Sequence, residues 1–112
     1  WLDDSPALGQ SARTAIMDDR NIVIVSAAVV WEIRIKQALG KLDIDSSFLE
    51  IVRSQGFELL SITADHAYAV GDLPMHHRDP FDRMIIAQAR LEGLTVVTRD
   101  PLFTKYEVPV IS

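Results

Sequence analysis

A chain of 112 residues, 48% of them hydrophobic, has enough apolar material for one core, which excludes both a multidomain assembly and a disordered polymer. A net charge of −5 argues against a broad basic face that grips nucleic acid by its own charge, without excluding a nucleic-acid enzyme, and the absence of cysteine excludes disulfides and thiolate metal sites. No apolar run approaches the roughly 20 residues of a membrane span, and no signal peptide is visible, so the expected location is cytoplasmic with no membrane partner.

The chain opens on Trp1-Leu2-Asp3-Asp4, which reads as the exit of one element and the loop into the next. An N-terminal segment is therefore expected to be missing from a single domain spanning 1–112. Ser5-Pro6 predicts a helix start, with Leu8, Ala12, Ala15 and Ile16 at helical spacing to about Met17. After the polar turn 18–21, the β-branched run Ile22-Val23-Ile24-Val25 predicts a strand buried on both faces. Ser26 caps a helix over 27–39 that Gly40 stops. Ser46 or Ser47 starts a short helix to about Gln55, and 57–62 is a short strand. Thr63 caps a helix running through Ala64, Ala67, Val70 and Leu73, and 74–78 is a loop. Asp79 caps and Pro80 begins a helix to about Glu92, closed by Gly93. Strands follow over 94–98 and 108–111, separated by a turn at Asp100-Pro101. Strands alternating with helices, with no hairpin signal, predict an α/β fold with a parallel sheet.

Four acids stand out. Glu32 lies inside the apolar run from Ala27 to Ile33, either paired with Lys36 one turn on or facing the C-terminal edge of the sheet. Asp79 is a good N-cap, and Asp82 falls where the helix dipole favours a carboxylate. Asp100 ends a strand and could cap the next turn. Each has a structural reason to exist, but three acids converging on one sheet edge have an electrostatic cost. Two carboxylates about 4 Å apart repel by roughly 4 kcal/mol at an effective dielectric of 20, so the cluster needs shifted protonation or a cation. Oxygen donors suit Mg²⁺ or Mn²⁺, which can activate water against a phosphodiester. Arg78, Arg83 and Arg99 stand beside the acids, where they could balance charge or contact a phosphate. Ser26 and Thr98 are strand-end hydroxyls that serve as caps or as ligands for phosphate or water. His66, His76 and His77 lack helical metal spacing and read as loop residues.

Three stretches in order resemble the motifs of PIN-domain proteins, in particular the VapC-type toxins of bacterial toxin–antitoxin pairs. They are Val25-Ser26-Ala27-Ala28-Val29-Val30-Trp31-Glu32-Ile33, then His77-Arg78-Asp79-Pro80-Phe81-Asp82-Arg83-Met84-Ile85-Ile86-Ala87-Gln88-Ala89, then Leu94-Thr95-Val96-Val97-Thr98-Arg99-Asp100-Pro101. The resemblance implies a three-layer α/β/α sandwich with a mostly parallel sheet and a Mg²⁺-dependent (or Mn²⁺-dependent) ribonuclease acting on RNA. Glu32, Asp82 and Asp100 would be its catalytic and metal-binding acids, with Asp79 ranked lower as a ligand. Ser26, Arg83, Thr98 and Arg99 would bind substrate. A cognate antitoxin would occlude the site, and a homodimer is implied. The family begins with a central strand ending in an Asp, and Asp3 and Asp4 do not follow such a strand. Two other readings stand beside this one: a catalytically inactive PIN-fold binding module, and an α/β phosphohydrolase of small phosphate esters.

Overall fold

In a computed structural model, residues 10–18, 20–41, 48–98 and 101–111 are described. Their elements run in the order α1 (Gln10–Met17), β1 (Ile24–Ser26), α2 (Ala27–Ala38), α3 (Phe48–Ser54), β2 (Glu58–Leu60), α4 (Ala64–Val70), α5 (Pro80–Glu92), β3 (Val96–Val97), a 3-10 helix (Pro101–Tyr106) and β4 (Val110–Ile111). The expected caps at Ser5 and at Ser46 or Ser47 lie outside the described residues, as do Arg99 and Asp100.

Local chemistry explains most of the boundaries. Ser26 accepts the Ala28 N–H at 3.0 Å and starts α2, and Gly40 follows that helix at φ +71°. Thr63 and His66 form a reciprocal capping box on α4: the His66 N–H donates to Thr63 Oγ1, and the Thr63 N–H donates to His66 Nδ1. His66 is thus a buried helical residue rather than a loop histidine. Asp79 Oδ1 accepts from the N–H groups of Phe81 and Asp82, with Pro80 at the first helical position, and Gly93 ends α5 in the left-handed conformation. In the turn after α1, Asp18 accepts from both the backbone and the guanidinium of Arg20, which holds its carboxyl below the ordinary range.

α4 stops earlier than the sequence pattern implies. Its C-terminal carbonyls accept i+3 N–H groups at Gly71, Asp72 and Leu73, a tighter winding that swings Leu73 into the core. β3 is shorter than 94–98, because the Leu94 N–H is spent on Ala89 O at the end of α5.

Both strand pairs are parallel. β1 pairs with β2 (Ile24 opposite Glu58, Ser26 opposite Leu60), and β3 pairs with β4 (Val96 opposite Val110). Among the described residues the two pairs are not bonded to each other, and each has its own core. The larger core gathers Leu73, Ile86, Ala87, Ala89, Val96, Phe103, Tyr106 and Val108 around α5. The smaller joins Ile33 and Val52, with Val25, Val29, Val30 and Phe57 packed against them. β1 was expected to be buried on both faces, and it is not. Ile22 is exposed and Val23, Ile24 and Val25 are half-buried, because this run forms one wall of a cleft.

Candidate functional site

The cleft lies between the two strand pairs and has a volume of about 760 Å³. Residues 22–26 form one wall and residues 94–98 the other. α1 contributes Ala15 and Ile16, and α2 and α5 contribute a longer face each, whose side chains are decided by helical spacing. α2 presents Val29, Glu32, Ile33 and Lys36, which recur at three and four residues. α5 presents Asp82, Ile85, Gln88 and Ala89. Glu32 and Asp82, 50 positions apart in sequence, therefore line one space.

Both carboxylates are partly screened from water, with side-chain exposures of 25% for Glu32 and 28% for Asp82. Glu32 Oε2 lies 3.4 Å from Lys36 Nζ, so the simple i to i+4 pairing is present while the residue still faces the cleft. Asp82 sits in the first turn of α5, where the helix dipole stabilises its charge, and Oδ2 meets His77 Nε2 at 3.0 Å.

The other expected site residues divide. Ser26 and Thr98 line the cleft. Ser26 also caps α2 and donates its hydroxyl proton to Gln88 Oε1. Asp79 is committed to capping α5 and is not among the cleft's lining residues. Arg83 departs from the expectation that it meets substrate. It is 8% exposed, and its guanidinium donates to the carbonyls of Val70, Leu73, Pro74 and His77. A buried arginine with this many acceptors is a structural clamp: it ties the last carbonyl of α4, at Val70, to those of the loop that follows, at Leu73, Pro74 and His77.

Two polar residues passed over on sequence shape the site. Gln88 is fully buried and bridges Ser26 to the α4 side, with its amide donating toward Ser61 O and His66 Nδ1. His66 continues the chain, its Nε2 lying 2.8 Å from Glu92 Oε1. The available signal was an amide inside the apolar run Ile85-Ile86-Ala87-Gln88-Ala89, where a polar group must find buried partners. The second is His77, the partner of Asp82, and it carried no signal in the local pattern.

Among the described residues, no three of His, Asp and Glu gather closely enough to hold a cation by themselves. Glu32 and Asp82 nonetheless line one cleft, and carboxylate oxygens are the donor type that a hard divalent cation takes. Mg²⁺ is commonly held through one or two carboxylates, with waters and substrate phosphate completing its shell.

These features define an α/β protein with an acid-bearing cleft between two pairs of parallel strands. A PIN domain profile matches residues 1–109, and the chain belongs to the PIN domain family. The α/β sandwich expected for that family is the fold observed. No match was found among curated proteins. A chain in the crystal structure of VapBC2 from Rickettsia felis, bound to a DNA fragment from their promoter, has a similar fold. The TM-score is 0.67 at 19% identity, over 88% of this chain and 80% of that one. No helix among the described residues is long and apolar enough to cross a membrane.

Proposed function

We propose that this protein is the nuclease toxin of a toxin–antitoxin pair, a metal-dependent endoribonuclease that hydrolyses RNA phosphodiester bonds in the cytoplasm. The observation that carries the reading is the placement of Glu32 from α2 and Asp82 from α5 on one cleft. Family membership supports it, since PIN domains generally use divalent metal ions. The fold likeness to a VapBC2 chain supports an antitoxin as the partner.

Glu32, Asp82 and Asp100 would hold Mg²⁺ or Mn²⁺, which when bound supplies activation of water and charge neutralisation at phosphate. The chain's own residues would do the rest. Asp82, in the helix dipole and fixed by a donor, offers a charged oxygen at the cleft without needing to be reorganised. Lys36, on the cleft wall beside Glu32, would exchange its carboxylate partner for a phosphate oxygen of the RNA. Ser26 and Thr98 would orient water or phosphate, Arg99 would contact the strand, and two copies of the chain would act as a homodimer.

The test compares the wild type with Asp82→Asn on a structured RNA, with Mg²⁺ or Mn²⁺ titrated into each. Asp82→Asn should lower the cleavage rate by at least about 100-fold, the scale of removing one preorganised electrostatic group. Equal cleavage by the two proteins would remove Asp82 from the site.

The Glu32–Lys36 pair favours a second reading, a PIN-fold binding module in which Glu32 serves only the surface of α2. Calorimetry separates the two. Saturable Mn²⁺ binding that is lost in Glu32→Gln supports the nuclease, and a heat of titration unchanged by that substitution supports the module.

A further inference from the structure

We propose that His77 is the positioning residue for Asp82, holding its carboxylate at the cleft in one orientation through an Nε2–H donor whose tautomer is imposed by the backbone of Asp79. This rests on the reading of Asp82 as a metal ligand.

The Asp79 N–H donates to His77 Nδ1 at 3.2 Å. A ring nitrogen that accepts a proton cannot also carry one, so the neutral imidazole has its hydrogen on Nε2. That nitrogen lies 3.0 Å from Asp82 Oδ2. The ring is 12% exposed and meets Phe103 edge-on, with ring centres 5.8 Å apart.

The backbone that carries the ring is fixed from both sides. Its N–H donates to Tyr106 Oη at 2.6 Å, and its carbonyl accepts from Arg83 Nη1 at 3.3 Å. The neighbouring His76 N–H donates to the same Tyr106 oxygen, and Tyr106, Phe103 and Arg83 are all buried. The cap oxygen of Asp79 accepts the Asp82 N–H as well, so one short segment sets both the backbone and the side chain of Asp82.

An acid in the first turn of a helix is already stabilised by the dipole. It does not need an imidazole for charge, and what the imidazole adds is direction. A carboxylate tied at one oxygen has lost its rotation before any ligand arrives, so less ordering entropy opposes binding.

The experiment measures Mn²⁺ affinity by calorimetry in the wild type, Asp82→Asn, His77→Phe and His77→Gln, with thermal unfolding followed in each. His77→Phe keeps a flat ring against Phe103 and removes both nitrogens, and should weaken Mn²⁺ binding about 10-fold or more. His77→Gln restores an N–H donor near the Nε2 position and should recover most of that loss, which a purely structural role does not require. If Asp82→Asn binds Mn²⁺ like the wild type, the reading of Asp82 fails and takes this proposal with it. If Asp82→Asn loses binding while a folded His77→Phe keeps wild-type affinity, the positioning role alone is overturned. Should His77→Phe unfold, nitrogen-15 NMR of the wild-type ring decides. The proposal requires the Nε2–H tautomer and a shift of the His77 ring signals on Mg²⁺ addition that is absent in Asp82→Asn, and an Nδ1–H tautomer or an unmoved ring overturns it.

Discussion

At the scale of single residues, the acids that looked alike in sequence do different work. Asp79 spends one oxygen on two backbone donors, and Asp82 keeps a carboxylate at the cleft. The cap was legible because it is local: an Asp directly before a helix-starting Pro has its partners within three residues. Asp79→Ala should therefore cost about 1 kcal/mol of stability in urea unfolding, and Asp79→Ser should restore most of it. An unchanged midpoint for Asp79→Ala would show that the cap is dispensable. Arg83 was not legible. Its acceptors at Val70, Leu73, Pro74 and His77 lie 6 to 13 positions away, at the end of α4 and in the loop after it, whose path is set by packing.

At the scale of elements, α5 organises the molecule. Its buried side presents Ile86 and Ala87 to the larger core, Gln88 to Ser26, and Arg83 to the end of α4. One helix thus holds the cleft wall, the loop of His77 and the main core in register. Removing the clamp should be felt along that whole path. Arg83→Met fills the space but takes the guanidinium from the buried Leu73 carbonyl and the partly buried carbonyls of Val70, Pro74 and His77, so stability should fall by about 1–3 kcal/mol. Arg83→Lys should recover little of this, since a single ammonium cannot reproduce the planar fork. Thermal and urea unfolding measure both variants, and a Lys variant as stable as the wild type would refute the clamp. The half-exposed i to i+4 pair of Glu32 and Lys36 on α2, by contrast, contributes only about 0.3–0.5 kcal/mol, so any large effect of changing Glu32 belongs to function rather than folding.

At the scale of the whole molecule, the described residues form two strand pairs, each with its own core, on either side of the cleft that Glu32 and Asp82 line. The core around α5, β3 and β4 is larger and includes the fully buried Ile86 and Tyr106, whereas the core under β1 and β2 rests on Ile33 and Val52. Regions with less buried apolar contact open more readily. Amide hydrogen exchange should accordingly find α5 the slowest to exchange and the β1–β2 pair opening separately and faster. Uniform protection across both would contradict this division. Such an opening would widen the cleft without unfolding α5, leaving Asp82 and its supports in place.

The sequence by itself determined the alternation of helices and strands, the caps at Ser26, Thr63 and Asp79, the stop at Gly93, and the family to which the chain belongs. It also determined that Glu32 shares a face with Val29 and Ile33, and Asp82 with Ile85 and Ala89, since helical geometry fixes those neighbours. Tertiary structure alone decided that those two faces meet at one cleft, that β1 is a half-buried wall, and that His77 orders Asp82. It alone decided that Ser26 is tied to Gln88 across 62 positions. A cap or a turn satisfies its hydrogen bonds within a few residues, so composition and spacing reveal it. A buried amide, guanidinium or imidazole must find its partner wherever packing has removed water, and that choice is made only when distant segments are brought together.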